Sequence, residues 1–157
     1  MARILSNLVE VIVFRKKVEG FQYLLLKRSS KEELYPDLWQ VITGSVNRKE
    51  LSVKAALREL NEETGLFAKR FWIVPFIDSY FNRSIDTIQL VPVFAVEIGN
   101  NQRIQLSSEH QCYSWMRYSE ARKRLVWPGQ RNALEVVHHY ISQKQRAAQL
   151  LEIKSIQ

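Results

Sequence analysis

The chain has 157 residues, of which 46% are hydrophobic and 25% charged, values typical of one soluble globular domain, and we expect that domain to span residues 1–157. The net charge of +7 favours a polyanionic partner, either nucleic acid or a small phosphorylated metabolite. No apolar run is long enough to cross a bilayer, and no secretory signal is evident. The single cysteine, Cys112, excludes an internal disulfide. We therefore expect a cytoplasmic protein without membrane contact.

Strands are predicted from apolar alternation and β-branched residues, and helices from runs of good helix formers. In chain order the predicted elements are strands over Leu8–Arg15 and Gln22–Lys27, a loop over Ser29–Asp37, a short strand over Trp39–Thr43, a helix over Val53–Thr64, strands over Phe71–Phe81, Thr87–Ile98 and Gln111–Arg117, a short helix over Ser119–Arg124 and a long helix over Arg131–Ile153. Ser52 is the candidate N-cap of the first helix and Gly65 its candidate C-terminal cap. The pattern predicts an α/β fold with a mixed sheet and helices on both sides.

The predicted helix over Val53–Thr64 has an acidic side. At about 100° per residue, Glu59, Glu62 and Glu63 share one side, and Leu57 and Leu60 belong to the opposite, packing side. Carboxylates crowded within one turn repel one another, and a divalent cation would relieve that repulsion. Hard oxygen ligands suit Mg²⁺ or Mn²⁺. The competing interpretation is a solvated helix face with salt bridges to nearby lysines.

The spacing around this helix favours the metal-site interpretation. The segment matches the pattern G-x5-E-x7-R-E-U-x-E-E-x-G-U, where U is a bulky aliphatic residue, through Gly44, Glu50, Arg58, Glu59, Leu60, Glu62, Glu63, Gly65 and Leu66. A chance match is on the order of 10⁻⁸ per starting point. The segment resembles the signature of the Nudix hydrolases. The resemblance implies a Nudix fold, in which a mixed sheet is sandwiched between helices and the motif forms a loop–helix–loop, and it implies metal-dependent hydrolysis of a nucleoside diphosphate linked to another moiety.

The resemblance also implies a role for each motif residue. The implied metal site comprises the carbonyl oxygen of Gly44 and the side chains of Glu59, Glu62 and Glu63. Arg58 would orient these carboxylates, and its ion pair with Glu50 would fix the loop. The Ser45–Lys49 spacer lacks the glycine that many family members carry there, so its shape is not predicted. Arg48 and Lys49 either face phosphates or are exposed surface charges.

Two further segments resemble particular groups within the Nudix hydrolases. Leu38–Val46 resembles the W-Q-x-x-T-G-S-V run of dihydroneopterin triphosphate pyrophosphohydrolases, and Leu106–Trp115 resembles their S/T-E-H-x-x-x-x-W segment. Diadenosine tetraphosphate hydrolases carry a similar second segment. The resemblance implies that Glu109 is a metal ligand or a general base. The choice of base between Glu63 and Glu109 is open because geometry must decide it.

A triphosphate substrate also needs cations and a surface for its ring. Lys27 and Arg28 are candidate phosphate ligands, because arginine grips a phosphate through two hydrogen bonds and lysine acts as a point charge. Trp39 and Trp127 are candidate stacking partners for a pterin or purine, and core packing is the competing role for each. Gln40 is a further candidate substrate-binding residue.

The sequence therefore predicts a Mg²⁺-dependent pyrophosphohydrolase, with Mn²⁺ as the alternative ion, that acts on dihydroneopterin triphosphate or a (deoxy)nucleoside triphosphate. The alternatives are a dinucleoside polyphosphate hydrolase of the diadenosine tetraphosphate type, an RNA 5′-pyrophosphohydrolase and, ranked last, a non-catalytic nucleotide-binding regulatory domain. The expected partner is a small phosphorylated metabolite or nucleotide, nucleic acid is not favoured, and the oligomeric state is open.

Overall fold

The computed structural model describes residues 1–155. Its elements are, in chain order, β1 (Arg3–Leu5), β2 (Leu8–Lys17), β3 (Gly20–Arg28), β4 (Trp39–Gln40), β5 (Ile42–Ser45), α1 (Ser52–Thr64), β6 (Arg70–Asn82), β7 (Thr87–Glu97), β8 (His110–Met116), α2 (Tyr118–Arg124), α3 (Pro128–Val136), a π-helical segment (Val137–Ser142) and α4 (Arg146–Leu150). The predicted mixed sheet and first helix are therefore confirmed.

The sheet branches around its central strand, β2. On one side β2 pairs in parallel with β7, which also pairs with β1 and β6. On the other side, Leu8–Val11 pairs with β5 and Phe14–Lys17 pairs with β3, both antiparallel. β3 in turn pairs with β4 and β8. The chain therefore changes partner from β3 to β2 between β4 and β5, and β5 carries Gly44 to the start of the loop before α1.

Two hydrophobic cores cover the two faces of the sheet. The α1-side core contains Val9, Val11, Val13, Ile42, Ala55, Leu60, Phe94 and Val96. The α3-side core contains Ile12, Phe14, Tyr23, Trp72, Val93, Leu134, Val137 and Ile141. Alternate residues of β2 enter opposite cores, as the period of two in a strand requires. Helix α1 and helix α3 therefore lie on opposite faces.

The predicted long helix over Arg131–Ile153 is wrong. Regular α-helix starts at Pro128, changes to a π-helical segment after Val136, and stops before Lys144, which has φ of 56°. Tertiary hydrogen bonds compete with helix continuation, because the hydroxyl of Tyr23 lies 2.7 Å from His138 Nδ1 and 3.0 Å from Ser142 Oγ. These contacts override the helix propensity of the segment.

Smaller differences concern element ends. Ser52 is the first helical residue rather than the N-cap, which is Leu51, and no side-chain cap is formed. The predicted strand over Trp39–Thr43 is split at Val41, whose side chain is buried in the α3-side core. The three-residue β1 was not predicted. Gly65 is confirmed as the cap, because its φ is 69° and its N–H donates to the Asn61 carbonyl.

Candidate active site

A brace formed by Arg58 joins α1 to the loop before it. Arg58 Nε donates to Glu50 Oε1 at 2.8 Å, and Nη2 donates to Glu50 Oε2 at 2.9 Å and to the Ser45 carbonyl at 2.7 Å. The Arg58 guanidinium, followed by the Asn47 backbone N–H, lowers the pKa of Glu50 to about 2. The predicted Glu50–Arg58 ion pair is therefore present, and it holds the loop on the helix in two places.

The glycine-free loop folds as a tight turn that ends at Glu50. Glu50 Oε2 accepts a hydrogen bond from the Asn47 N–H at 2.8 Å, and the Glu50 N–H donates to the Asn47 carbonyl at 2.9 Å. Lys49 adopts the left-handed conformation, with φ of 65°, that glycine would adopt more easily. Arg48 and Lys49 are exposed.

The carboxylates of α1 line the helix face next to this brace. Arg58 Nη1 donates to Glu59 Oε1 at 2.8 Å and to Glu62 Oε2 at 2.9 Å, so one guanidinium nitrogen bridges two acids. The side chain of Glu59 lies directly against the backbone of Gly44, where an added Cβ would overlap its Cγ, Cδ and Oε1 atoms. A side chain at position 44 would therefore displace Glu59 from this position.

Glu59, Glu62, Glu63 and Glu109 form what we call the acidic group, and Glu63 is its buried member. Its side chain is 4% exposed, and its Oε2 atom has no hydrogen-bond partner. Burial, followed by the neighbouring Glu109 and Glu59 carboxylates, raises the pKa of Glu63 to about 9. Burial is also the main cause of the raised pKa of Glu59, to which Glu62 and Glu109 contribute. Glu109 is exposed, and its backbone carbonyl accepts a hydrogen bond from Ser29 N–H at 2.8 Å.

A buried histidine lies beneath Glu63. His110 Nε2 is 3.8 Å from Glu63 Oε2 and 3.2 Å from Gln40 Nε2. Burial, followed by the charge of Arg28, lowers the pKa of His110 to about 4, so its imidazole is neutral at pH 7. Gln40 is buried in this contact. The contact of His110 with Gln40 and Glu63 does not follow from the sequence, because the three residues lie on different elements.

The predicted phosphate-binding cations lie at the end of β3 and contact the following loop. Lys27 Nζ is 3.7 Å from Asp37 Oδ1, and Arg28 Nη2 is 3.2 Å from Glu32 Oε2. Arg28 Nε also donates to the Leu34 carbonyl. The charge of Arg28 lowers the pKa values of both Glu63 and His110, so the guanidinium lies near the acidic group.

The two predicted stacking tryptophans lie on the α3 side of the sheet. Trp39 is half-buried against the α3-side core, with Arg124 Cζ 5.9 Å from the centre of its ring. Trp127 precedes α3, is 38% exposed, and forms an edge-to-face pair with Tyr35 at a centroid distance of 5.0 Å. The acidic group and the tryptophans therefore lie on opposite faces.

The donor set of the acidic group fits a hard divalent cation. Four carboxylates are gathered beside the backbone of Gly44, and the unpartnered Glu63 Oε2 supplies a buried oxygen. Within residues 1–155, however, no three acidic, histidine or cysteine side chains already form a closed metal-binding group. Arg58 holds Glu59 and Glu62, so binding a cation would require these two side chains to reorient.

Comparison with known proteins identifies the family. The sequence profile of the NUDIX domain matches residues 7–137. The chain belongs to the Nudix family. It has the Nudix fold. A structure of a diadenosine tetraphosphate hydrolase from C. elegans is similar, with a TM-score of 0.70 and 22% identity over 85% of this chain and 96% of that one. The E. coli dihydroneopterin triphosphate pyrophosphohydrolase is similar at a TM-score of 0.67 and 21% identity, over 86% and 96% of the two chains.

Two curated proteins are each 28% identical in sequence to this Nudix chain. An octanoyltransferase of Myxococcus xanthus is 28% identical over 134 residues, which are 81% of this chain, but the chain spans only 35% of that protein's length. An asymmetrical bis(5′-nucleosyl)-tetraphosphatase of Mus musculus is 28% identical over 143 residues, covering 83% of this chain and 92% of that one. Within residues 1–155, no helix has the length and apolarity that a membrane span requires.

Proposed function

We propose that this Nudix hydrolase is a Mg²⁺-dependent pyrophosphohydrolase that cleaves a (deoxy)nucleoside triphosphate or dihydroneopterin triphosphate to the monophosphate and pyrophosphate. The observation that carries the proposal is the buried Glu63 carboxyl, which has an unpartnered oxygen and lies beside Glu59 and Glu109. A buried carboxyl among like charges keeps its proton unless a positive partner stabilises the ionised form. A divalent cation is that partner for a phosphorylated substrate.

In this proposal the acidic group and its neighbours bind the metal, orient the carboxylates and accept a proton from water. The proposed oxygen ligands are the Gly44 carbonyl and the carboxylates of Glu59, Glu62, Glu63 and Glu109. Mg²⁺, or Mn²⁺ in its place, would polarise the phosphoryl group and lower the pKa of water. Arg58 orients the Glu59 and Glu62 carboxylates through Nη1 and anchors the loop through Glu50. Either Glu63 or Glu109 accepts the proton of the attacking water.

The remaining contacts complete the proposed substrate site. Lys27 and Arg28 bind the phosphates, and the proposal requires Arg28 to exchange its contact with Glu32 for a phosphate oxygen. Trp127 contacts the ring of the substrate. Gln40 acts indirectly, by holding His110 against Glu63. The proposed cytoplasmic location is consistent with the free thiol of Cys112.

A second candidate function is asymmetrical hydrolysis of a dinucleoside tetraphosphate. It is favoured by the mouse relative, which the chain matches over 92% of that protein's length, and by the shared Ser-Glu-His segment at Ser108–His110. A regulatory binding role is ranked lower because all the motif glutamates are present here.

A substrate panel tests the proposal. The protein is incubated with Mg²⁺ and dihydroneopterin triphosphate, the four deoxynucleoside triphosphates, diadenosine tetraphosphate or 5′-triphosphorylated RNA, and the products are separated by chromatography. We expect a monophosphate and pyrophosphate from a triphosphate, and no product in EDTA. If diadenosine tetraphosphate is the only member of the panel that is cleaved, and the products are a nucleoside triphosphate and a monophosphate, the second candidate is established. Absence of turnover on every substrate would overturn the proposal.

A further inference from the structure

A second polar cluster lies on the α3 face of the sheet, opposite the acidic group. Glu10 on β2 alternates with Val9 and Val11, which enter the α1-side core, so its side chain points toward α3. Glu10 pairs with Thr43 on β5, and the next residue, Gly44, contacts Glu59. The two polar sites are therefore one residue apart along β5.

Residues of three other elements join Glu10 in this cluster. We call it the α3-face polar cluster, and it consists of Glu10, Asp78, Gln89 and Gln130. Asp78 comes from β6, Gln89 from β7 and Gln130 from α3. The Asp78 carboxylate lies against Gly129, where a Cβ would overlap both carboxylate oxygens. Burial, followed by the Asp78 carboxylate, raises the pKa of Glu10 to about 8 against the opposing effect of the Gln130 side chain. The carboxyl groups of Glu10 and Asp78 and the Gln130 amide are therefore neighbours.

Three side chains of the α3-face polar cluster each have one buried oxygen without a hydrogen-bond partner. Glu10, Gln89 and Gln130 are 5%, 3% and 4% exposed, and each has a buried oxygen with no hydrogen-bond partner. A buried acceptor left unpaired costs about 1–3 kcal/mol. Three such atoms on one face, beside the Asp78 carboxylate, would be satisfied by a ligand that presents several N–H donors.

Exposed aromatic rings surround the same cluster. Tyr80 pairs with Gln89 across the β6–β7 ladder and is 45% exposed. Burial, then the charges of Glu10 and Asp78 and the nearby Tyr35, raises the pKa of Tyr80. Tyr35 in turn packs edge-to-face on Trp127, which precedes α3. The cluster therefore has a polar floor and an aromatic rim, a combination that suits a flat heterocycle.

We infer that the α3-face polar cluster and its rim of Tyr35, Tyr80 and Trp127 bind the heterocycle of the substrate through a 2-amino-4-oxo edge, the edge shared by guanine and reduced pterins. This inference rests on the proposed function and names the substrate class within it. The edge presents a ring N–H next to an amino group, and one carboxylate accepts both hydrogen bonds. Adenine presents a ring nitrogen acceptor at the matching position, which would face the Asp78 carboxylate with a lone pair and be rejected.

Binding without metal tests this inference separately from hydrolysis. Affinities for guanosine, inosine and adenosine 5′-monophosphates and for neopterin are measured in EDTA, by calorimetry or quenching of tryptophan fluorescence. We expect guanosine monophosphate and neopterin to bind roughly tenfold or more tightly than inosine monophosphate, which lacks the amino group, and than adenosine monophosphate. Equal affinities for the three nucleotides would overturn the inference.

Variants test whether Asp78 causes the preference for guanosine over inosine monophosphate. Asp78→Asn should reduce the preference for guanosine over inosine monophosphate to less than about threefold, because one acceptor pair is lost. Asp86→Asn, a matched change in the turn between β6 and β7, should keep it. Gly129→Ala displaces the same carboxylate from α3, and replaces Asp78→Asn if that variant melts early. A preserved preference in both site variants would overturn the inference.

The two proposals fail in different ways. A chain that prefers guanosine monophosphate in EDTA but hydrolyses no substrate would support the ring site and overturn the proposed function. A chain that hydrolyses adenine and guanine nucleotides with equal kcat/KM, and binds their monophosphates equally, would overturn the ring site and leave the proposed function standing.

Discussion

Replacing Gly44 by alanine tests the contact between β5 and the acidic helix. An alanine Cβ would overlap the Cγ, Cδ and Oε1 atoms of Glu59. Carbon atoms pack no closer than about 3.5 Å, so we expect the Glu59 carboxyl to move by about 1 Å or more. A displacement of about 1 Å in catalytic geometry costs about 10²-fold, so kcat/KM should fall by about 100-fold, or about 2.7 kcal/mol of transition-state stabilisation.

The fold should survive this substitution, because the displaced atoms are the flexible end of one side chain rather than backbone. We therefore expect a melting temperature close to that of the wild type, a large loss of kcat/KM on the best substrate of the panel, and weaker Mn²⁺ binding in calorimetry without substrate. Gly99→Ala is the matched control, since its added Cβ meets only the Asn101 side chain at 3.0 Å. A folded Gly44→Ala protein with normal kcat/KM and normal Mn²⁺ affinity would refute the reasoning.

Three further predictions concern the brace, the buried cluster and the metal. Arg58→Lys loses the two-point contact with Glu50, so kcat should fall in steady-state assays while the far-ultraviolet circular dichroism is unchanged; an unaltered kcat would show that the brace is dispensable. The raised pKa of Glu10 means that the folded state holds a proton which the unfolded state releases above about pH 4.5, so wild-type stability falls as pH rises toward about 8. Glu10→Gln removes that fall, so the melting temperature of the variant relative to the wild type should increase from pH 5 to pH 9. Parallel plots of melting temperature against pH for the two proteins would contradict this. EDTA should abolish turnover and MgCl₂ restore it, and turnover in EDTA would contradict the metal requirement.

The acidic motif was accessible from the sequence because its chemistry is local. Arg58, Glu59, Glu62 and Glu63 lie on one helix, and helical geometry alone determines which of them share a side. The cap at Gly65 follows from its freedom at positive φ. The Glu50–Arg58 pair needed the family resemblance, because a loop separates the two residues.

Non-local contacts could not be predicted in the same way. The contact of Glu59 with Gly44 depends on the register of β5 against β2, and the end of the predicted C-terminal helix depends on the hydroxyl of Tyr23, 115 residues from His138. One signal for the second polar site was available, since Glu10 is an acid inside a valine-rich strand that reads as buried. Its partners Asp78 and Gln130 lie on elements distant in sequence.

The rate of Glu63→Gln on the best substrate of the panel tests the central claim most directly. The side chain is isosteric and buried, so we expect the melting temperature to be retained while kcat falls by orders of magnitude, because the amide binds a cation poorly and cannot accept a proton. Glu120→Gln, on exposed α2, is the matched control and should keep the wild-type rate. A folded Glu63→Gln protein that turns over at the wild-type rate would contradict the assignment of the acidic group as the metal-dependent catalytic site.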